Sequence, residues 1–284
     1  MSATIRILFT SLLFIGIGLT GLWVYMRDAG LNKPISPVRH PFFDDRPEEK
    51  RFLIADPRKT DRPFVSLDEI KETTAIHPNL ILWLDVAMTG DGTLVVMRDL
   101  TAPAARPGAP LPLVSFARDE ELGVGASVPR LSDALAAVPN HRLVLNIREY
   151  RPTADEKLVT EIENAKAGDR VLIQSDIDGF LRDMRSRRAA WLFGTSQAQI
   201  TQLLMLLPFG LETSAPLKGD VYVTPTSRDR SWLVKPEVVA EIHRRDRRVF
   251  AGPIDDETTV ERLLELGVDG LITTRPEAFL RFLN

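Results

Sequence analysis

The chain has no cysteine, so disulfides, thiolate nucleophiles and thiolate metal sites have no part in its stability or its chemistry. Histidine is nearly as scarce. Its four copies, His40, His77, His141 and His243, fall outside every run that reads as a strand end facing a pocket, which leaves few candidates for acid/base catalysis. An excess of charge of one sign is also missing. With 36 basic and 39 acidic residues mixed along the chain and a formal net charge of -3, there is no electrostatic footprint for nucleic acid. A hydrophobic content of 44% over 284 residues supports one large core.

Long apolar runs are absent too, with one exception. Residues 7–26 carry no charge and are dominated by Leu, Ile, Phe and Gly, matching the roughly 20 residues a helix needs to cross a bilayer. Trp23 and Tyr25 stand at its far end, where amphipathic rings favour the headgroup layer, and Arg27 and Asp28 stop the run. No small-x-small cleavage site precedes Arg27, so the expectation is an uncleaved single-pass anchor in a lipid bilayer, behind a short flank at 1–6. Arg6 on one side and Arg27, Lys33 and Arg39 on the other leave the orientation open, while the lack of cysteine suits an extracytoplasmic or periplasmic main domain. Residues 27–50, rich in proline and charge and without periodicity, read as a juxtamembrane linker.

From residue 51 to 284 short apolar runs alternate with stretches of helical period, the pattern of an α/β fold with a parallel sheet. Strands are expected at 52–55, 81–86, 143–147, 171–174, 190–193, 221–224, 248–251 and 270–273. Eight such units predict a TIM (β/α)8 barrel. Ser66-Leu67-Asp68-Glu69 forms a capping box for one helix, Pro236 suits the first position of another, and Gly267 suits a left-handed cap after a third. At 87–130 the rhythm breaks. Thr89-Gly90-Asp91-Gly92 is a turn leading into a β-prone arm, and 101–128 is a Pro-, Ala- and Gly-containing excursion over the barrel mouth, read as a lid, a spacer or a docking surface for a membrane protein partner. Gly123-Val124-Gly125 reads as a turn, and Asp176, Asp178 and the 255–257 acidic run as helix starts.

The order of these pieces resembles the glycerophosphodiester phosphodiesterase family, TIM barrels related to the phosphatidylinositol-specific phospholipase C fold. The resemblance rests on the run from Leu84-Asp85 through the 89–92 turn to Val95-Val96, on Val128-Pro129-Arg130-Leu131, on Ile173-Gln174-Ser175 and on the terminal Gly267-Val268-Asp269-Gly270. It implies a mechanism in which carboxylates hold a divalent cation, Ca²⁺ or Mg²⁺, while two histidines act as base and acid. At the matching positions most of those groups are replaced. The opening His-Arg-Gly falls on Asp56, Pro57 and Arg58, and the Glu-x-Asp pair on Trp83 and Asp85. The second histidine falls on Arg98, before Asp99, and the remaining glutamate on Arg148, beside Glu149 and Tyr150.

A guanidinium that stays protonated cannot act as the acid, and an indole cannot hold a hard cation. The resemblance therefore predicts a member that has lost the usual reaction. Asp56, Asp85, Arg98 and Arg148 are expected near one another at the mouth, either as an internal salt-bridge network or as an anion site in which Arg58, Arg98 and Arg148 grip a phosphodiester or phospholipid headgroup. No cofactor is needed on this reading, which makes the chain a binding or scaffold protein. The competing expectation is a metal-dependent phosphoric diester hydrolase with a rearranged site built on Asp56, Asp85 and Glu149.

Overall fold

The computed structural model describes residues 3–44, 51–57, 64–98, 100, 114–125, 127–225 and 234–283. In chain order the elements are α1 (Ala3–Leu31), β1 (Phe52–Ala55), α2 (Leu67–Ala75), β2 (Ile81–Met88), β3 (Leu94–Val96), α3 (Asp119–Leu122), α4 (Leu131–Ala137), β4 (Leu143–Ile147), α5 (Ala154–Asn164), β5 (Val171–Gln174), α6 (Asp178–Arg187), β6 (Leu192–Phe193), α7 (Gln197–Leu206), β7 (Val221–Pro225), α8 (Pro236–Arg244), β8 (Arg248–Gly252), α9 (Glu257–Glu265), β9 (Gly270–Thr273) and α10 (Pro276–Phe279).

The strands pair in the order β6-β5-β4-β2-β1-β9-β8-β7, every pairing along this path parallel, and a bridge between Gly194 and Val221 brings β6 and β7 together to close the ring. This is the expected TIM barrel. The inward set Phe52, Ile54, Ile81, Val144, Leu172, Leu192, Val221, Val223, Phe250 and Ile272 forms one buried cluster. The alternate residues, such as Leu53, Ala55, Val249 and Leu271, pack outward with residues of the helices. This two-residue period is what a barrel with filled interior and covered exterior demands.

Local chemistry sets the helix ends. Ser66 and Glu69 make the reciprocal capping box of α2, Pro236 opens α8, and Gly267 after α9 takes a positive φ of 86°. β2 runs two residues beyond the expected 86 because its end pairs with antiparallel β3, Val86 opposite Val96 and Met88 opposite Leu94. β6 is only two residues long, starting at Leu192 rather than 190. Above β2 and β3 the described part of the excursion is fixed, since Val114, Ala117, Leu122 and Val128 are buried against Ala87, Val95 and Met97. Arg151 Nη1 also donates to the carbonyls of Thr89 (2.8 Å) and Ser115 (2.7 Å). Residues 101–113 lie outside the described residues.

At the other end of the barrel residues 27–44, expected as juxtamembrane linker, pack on the fold, while 45–50 lie outside the described residues. Residues 27–31 continue α1, and a turn at Pro41–Phe43 places Phe42, with no exposed surface, among the inward residues of the strands. His40 Nδ1 caps that turn by accepting from Phe42 N at 3.1 Å. Helix α1 is long and apolar enough from Ile7 to Leu31 to cross a membrane. Its last turns pack on the segment after α7: Trp23 Nε1 donates to Phe209 O (2.7 Å) and Ser214 Oγ to Met26 O (2.7 Å). At Gly30 a β-carbon would stand 2.6 Å from the Thr213 carbonyl carbon, so only glycine allows this approach.

Candidate functional site

The carboxyl ends of the strands form the mouth, where barrels of this architecture carry their ligands. Asp85 on β2 points inward in the same register as Ile81 and Trp83, and Asn146 on β4 lies opposite it. Asp85 is 7% exposed and accepts hydrogen bonds at both carboxylate oxygens. Trp83 Nε1 donates to Oδ1 at 2.9 Å, Asn146 Nδ2 donates to the same oxygen at 2.6 Å, and Arg148 Nη1 donates to Oδ2 at 3.3 Å. These donors compensate a charge that would be costly to bury alone.

Asp56, which follows β1, is 2% exposed, and its backbone N–H donates to Thr273 O on β9 at 2.8 Å. Arg98 follows Met97, whose N–H donates to Asp85 O at 3.0 Å, so its backbone begins beside β2. The structure thus joins Asp85 to Arg148 and Trp83, sets Asp56 and Arg98 on flanking strand ends, and leaves Arg58 and Asp99 outside the described residues.

Other polar groups of the mouth are consumed internally. Asp255, after β8, accepts from Thr273 Oγ1 (2.8 Å), Thr274 N (2.9 Å) and Thr274 Oγ1 (2.7 Å). Burial pushes its carboxyl up, but the hydrogen bonds from Thr274 and Thr273 hold it below the usual carboxylate range. It is Asp256 that caps α9, accepting from Thr259 N. Asp178 is held low by hydrogen bonds from Gln199 and Ser196, which tie the start of α6 to α7. Gln174 at the end of β5 is buried and crosses over Gly194, where a β-carbon would fall 1.6 Å from its Oε1. Asn146 and Gly194 escaped the sequence reading, and Gln174 entered it only within the Ile173-Gln174-Ser175 motif, with no role at the mouth. Asn146 could have been found by parity, two residues before Arg148 on the same strand.

A divalent cation such as Ca²⁺ or Mg²⁺ takes several oxygen ligands, most of them carboxylate or carbonyl. The donor set around Asp85 does not fit one, because an indole N–H, an amide N–H and a guanidinium N–H point at the carboxylate oxygens that would coordinate it. Among the described residues no group of three or more histidines and carboxylates is placed to hold a metal, so Asp56, Asp85 and Glu149 are not gathered into the rearranged site.

The histidines lie at the opposite end. His40 is on the strap beneath the barrel, His77 and His141 precede β2 and β4, and His243 sits in the last turn of α8 before β8. His243 Nε2 meets Asp269 Oδ2 at 2.9 Å, and Asp269 also accepts from Val249 N, so the terminal Gly-Val-Asp-Gly aspartate stitches β8 to β9.

Comparison with known proteins gives this geometry its lineage. A probable glycerophosphodiester phosphodiesterase 2 of Mycobacterium tuberculosis is 30% identical over 207 residues, covering 68% of this chain and 75% of that protein. The barrel is similar in fold to a glycerophosphodiester phosphodiesterase from Parabacteroides distasonis, with a TM-score of 0.66 at 17% identity over 84% of this chain and 98% of that one. It is similar as well to an Oleispira antarctica phosphodiesterase in complex with the product sn-glycerol-3-phosphate, with a TM-score of 0.60 at 14% identity over 82% and 96%. Residues 82–278, from the strand that carries Asp85 to the last helix, match the glycerophosphoryl diester phosphodiesterase family, and the chain belongs to it.

Proposed function

We propose that this chain is a membrane-tethered, hydrolytically silent member of its family that binds a phosphate-bearing headgroup at the barrel mouth without a metal. The observation that carries the reading is the state of Asp85, whose oxygens accept from Trp83, Asn146 and Arg148 where the family mechanism needs a cation. The position of all four histidines at the far end of the barrel supports it, since an acid and a base must lie within hydrogen-bond reach of the reacting group. Arg148 favours binding over pure scaffolding. Its side chain is 40% exposed and touches Asp85 through Nη1 alone at 3.3 Å, and a guanidinium has further donors that suit a phosphate. Tethering is supported by the contacts of Trp23 and Met26 with the barrel, which removal of α1 as a leader would destroy.

The test is calorimetric titration of the full chain in detergent with glycerophosphodiesters and glycerol 3-phosphate, with and without Ca²⁺ or Mg²⁺, with product release assayed in the same samples. The expected result is binding that ignores the cation, no turnover, and a roughly tenfold loss of affinity in Arg148→Ala, the size of one charge-assisted contact. Cation-dependent product release, abolished by Asp85→Asn, would instead make the chain a metal-dependent hydrolase.

A further inference from the structure

Helix α7 differs from the other long helices around the barrel. Between Arg188 and Glu212 the sequence has no charged residue, whereas α2, α5, α6, α8 and α9 all carry several. A helix at the surface of a soluble barrel normally turns a charged face to water. On α7 Ile200 and Leu203 face the core, while Met205 on the helix and Phe209 on the turn Leu207–Phe209 are each 66% exposed. Phe209 lies beside Trp23 of α1, and Met205 stands four residues, about one helical turn, before it. Phe209 accepts through its carbonyl from the Trp23 indole, and Gly210, with a positive φ of 63°, lies against the same ring. Trp23 follows the apolar part of α1, where Leu19 and Leu22 are 62% and 53% exposed.

From this continuity we infer that the end of α7 and the turn after it form a second lipid-contact surface, with Met205 and Phe209 seated in the interface of the bilayer that holds α1. The inference rests on the tethered reading of α1. An indole near the end of an apolar run takes the headgroup level, and a phenyl ring whose own backbone is bonded to that indole stands at about the same depth. The uncharged length of α7 allows this face to approach lipid without stripping water from an ion. The consequence is orientation. α7 runs from the mouth toward the amino-terminal face, so seating its end in the bilayer turns that face to lipid and the mouth, with Asp85 and Arg148, away from it. Headgroups of intact lipids in the same leaflet then lie out of reach, so the phosphate-bearing headgroup of the proposed function reaches the mouth from the aqueous side, on a water-soluble molecule.

The absence of cysteine makes the test direct. Single variants Leu12→Cys, Phe116→Cys, Met205→Cys and Phe209→Cys of the full chain, each labelled with a nitroxide, are reconstituted in vesicles of phosphatidylcholine and phosphatidylglycerol. Collision with oxygen, which concentrates in lipid, is compared with collision with a water-soluble nickel complex; circular dichroism checks each fold. Met205, Phe209 and Phe116 are exposed, so the label needs no repacking. The expected pattern is strong oxygen preference at Leu12, a clear shift toward oxygen at both Met205 and Phe209, and nickel preference at Phe116. Oxygen preference at Leu12 with nickel preference at Met205 and Phe209 would overturn this inference and leave the tether standing. Nickel access at Leu12 would overturn both. Protection of Met205 and Phe209 from both reagents would assign the surface to a protein partner instead.

Discussion

At the scale of single residues, the mouth is shaped by groups that satisfy one another. Asp85 replaces solvent with three donors, and Gln174 is accommodated because Gly194 has no side chain. Gly194→Ala is expected to destabilise the chain by about 1–3 kcal/mol, the usual cost of overpacking, read from the urea midpoint. Combining it with Gln174→Ala should recover part of that loss, a coupling that a double-mutant cycle measures. Asp85 and Arg148 were named at the sequence level through positions matched to the family pattern. The contacts of Asn146 and Gln174 were not legible, since the partner of a neutral amide is set by the register between strands.

At the scale of elements, the strands and several helix ends follow from short-range pattern. β1, β4, β5 and β9 begin and end where alternation and turn residues place them, and Ser66 with Glu69 caps α2 as spacing requires. The strap between α1 and β1 shows the limit of such reading. Nothing periodic marks residues 38–43, yet Phe42 fills the amino-terminal end of the barrel and its ring meets Phe43 edge-on at 5.4 Å. Its neighbours come from strands spread over the whole chain, and a local window cannot contain them. Phe42→Ala is expected to cost about 3–5 kcal/mol in equilibrium urea unfolding, as for other buried aromatics truncated to leave a cavity.

At the scale of the whole molecule, pH acts through groups buried by the assembled barrel. Burial pushes His40 and His141 below 6.5; nearby acidic groups, Asp169 foremost, partly oppose this at His40, and a backbone hydrogen bond at Thr74 does so at His141. Their folded-state values are depressed, so the stability they permit is full above about 6.5 and declines as pH falls through the lowered values. Glu161 works the other way. Burial, assisted by Asp133, pushes it from 4.5 to about 7, so its share is full below 4.5 and lost as pH rises through about 7. Glu161→Gln should therefore match the unsubstituted chain at pH 5 and exceed it at pH 8, by about 1 kcal/mol after allowance for solvent screening, in urea midpoints taken at both values. The sequence by itself determined the strand alternation, the helix caps and the apolar span, because each is written in neighbouring residues or in residue type. Only the tertiary structure decided that Asp85 is hydrogen-bonded by Trp83, Asn146 and Arg148, that Phe42 fills the foot of the barrel, and that α1 packs against the foot of α7. The Asp85–Asn146 and Trp23–Phe209 contacts join residues 61 and 186 positions apart, and assembly of the barrel is what brings them within reach.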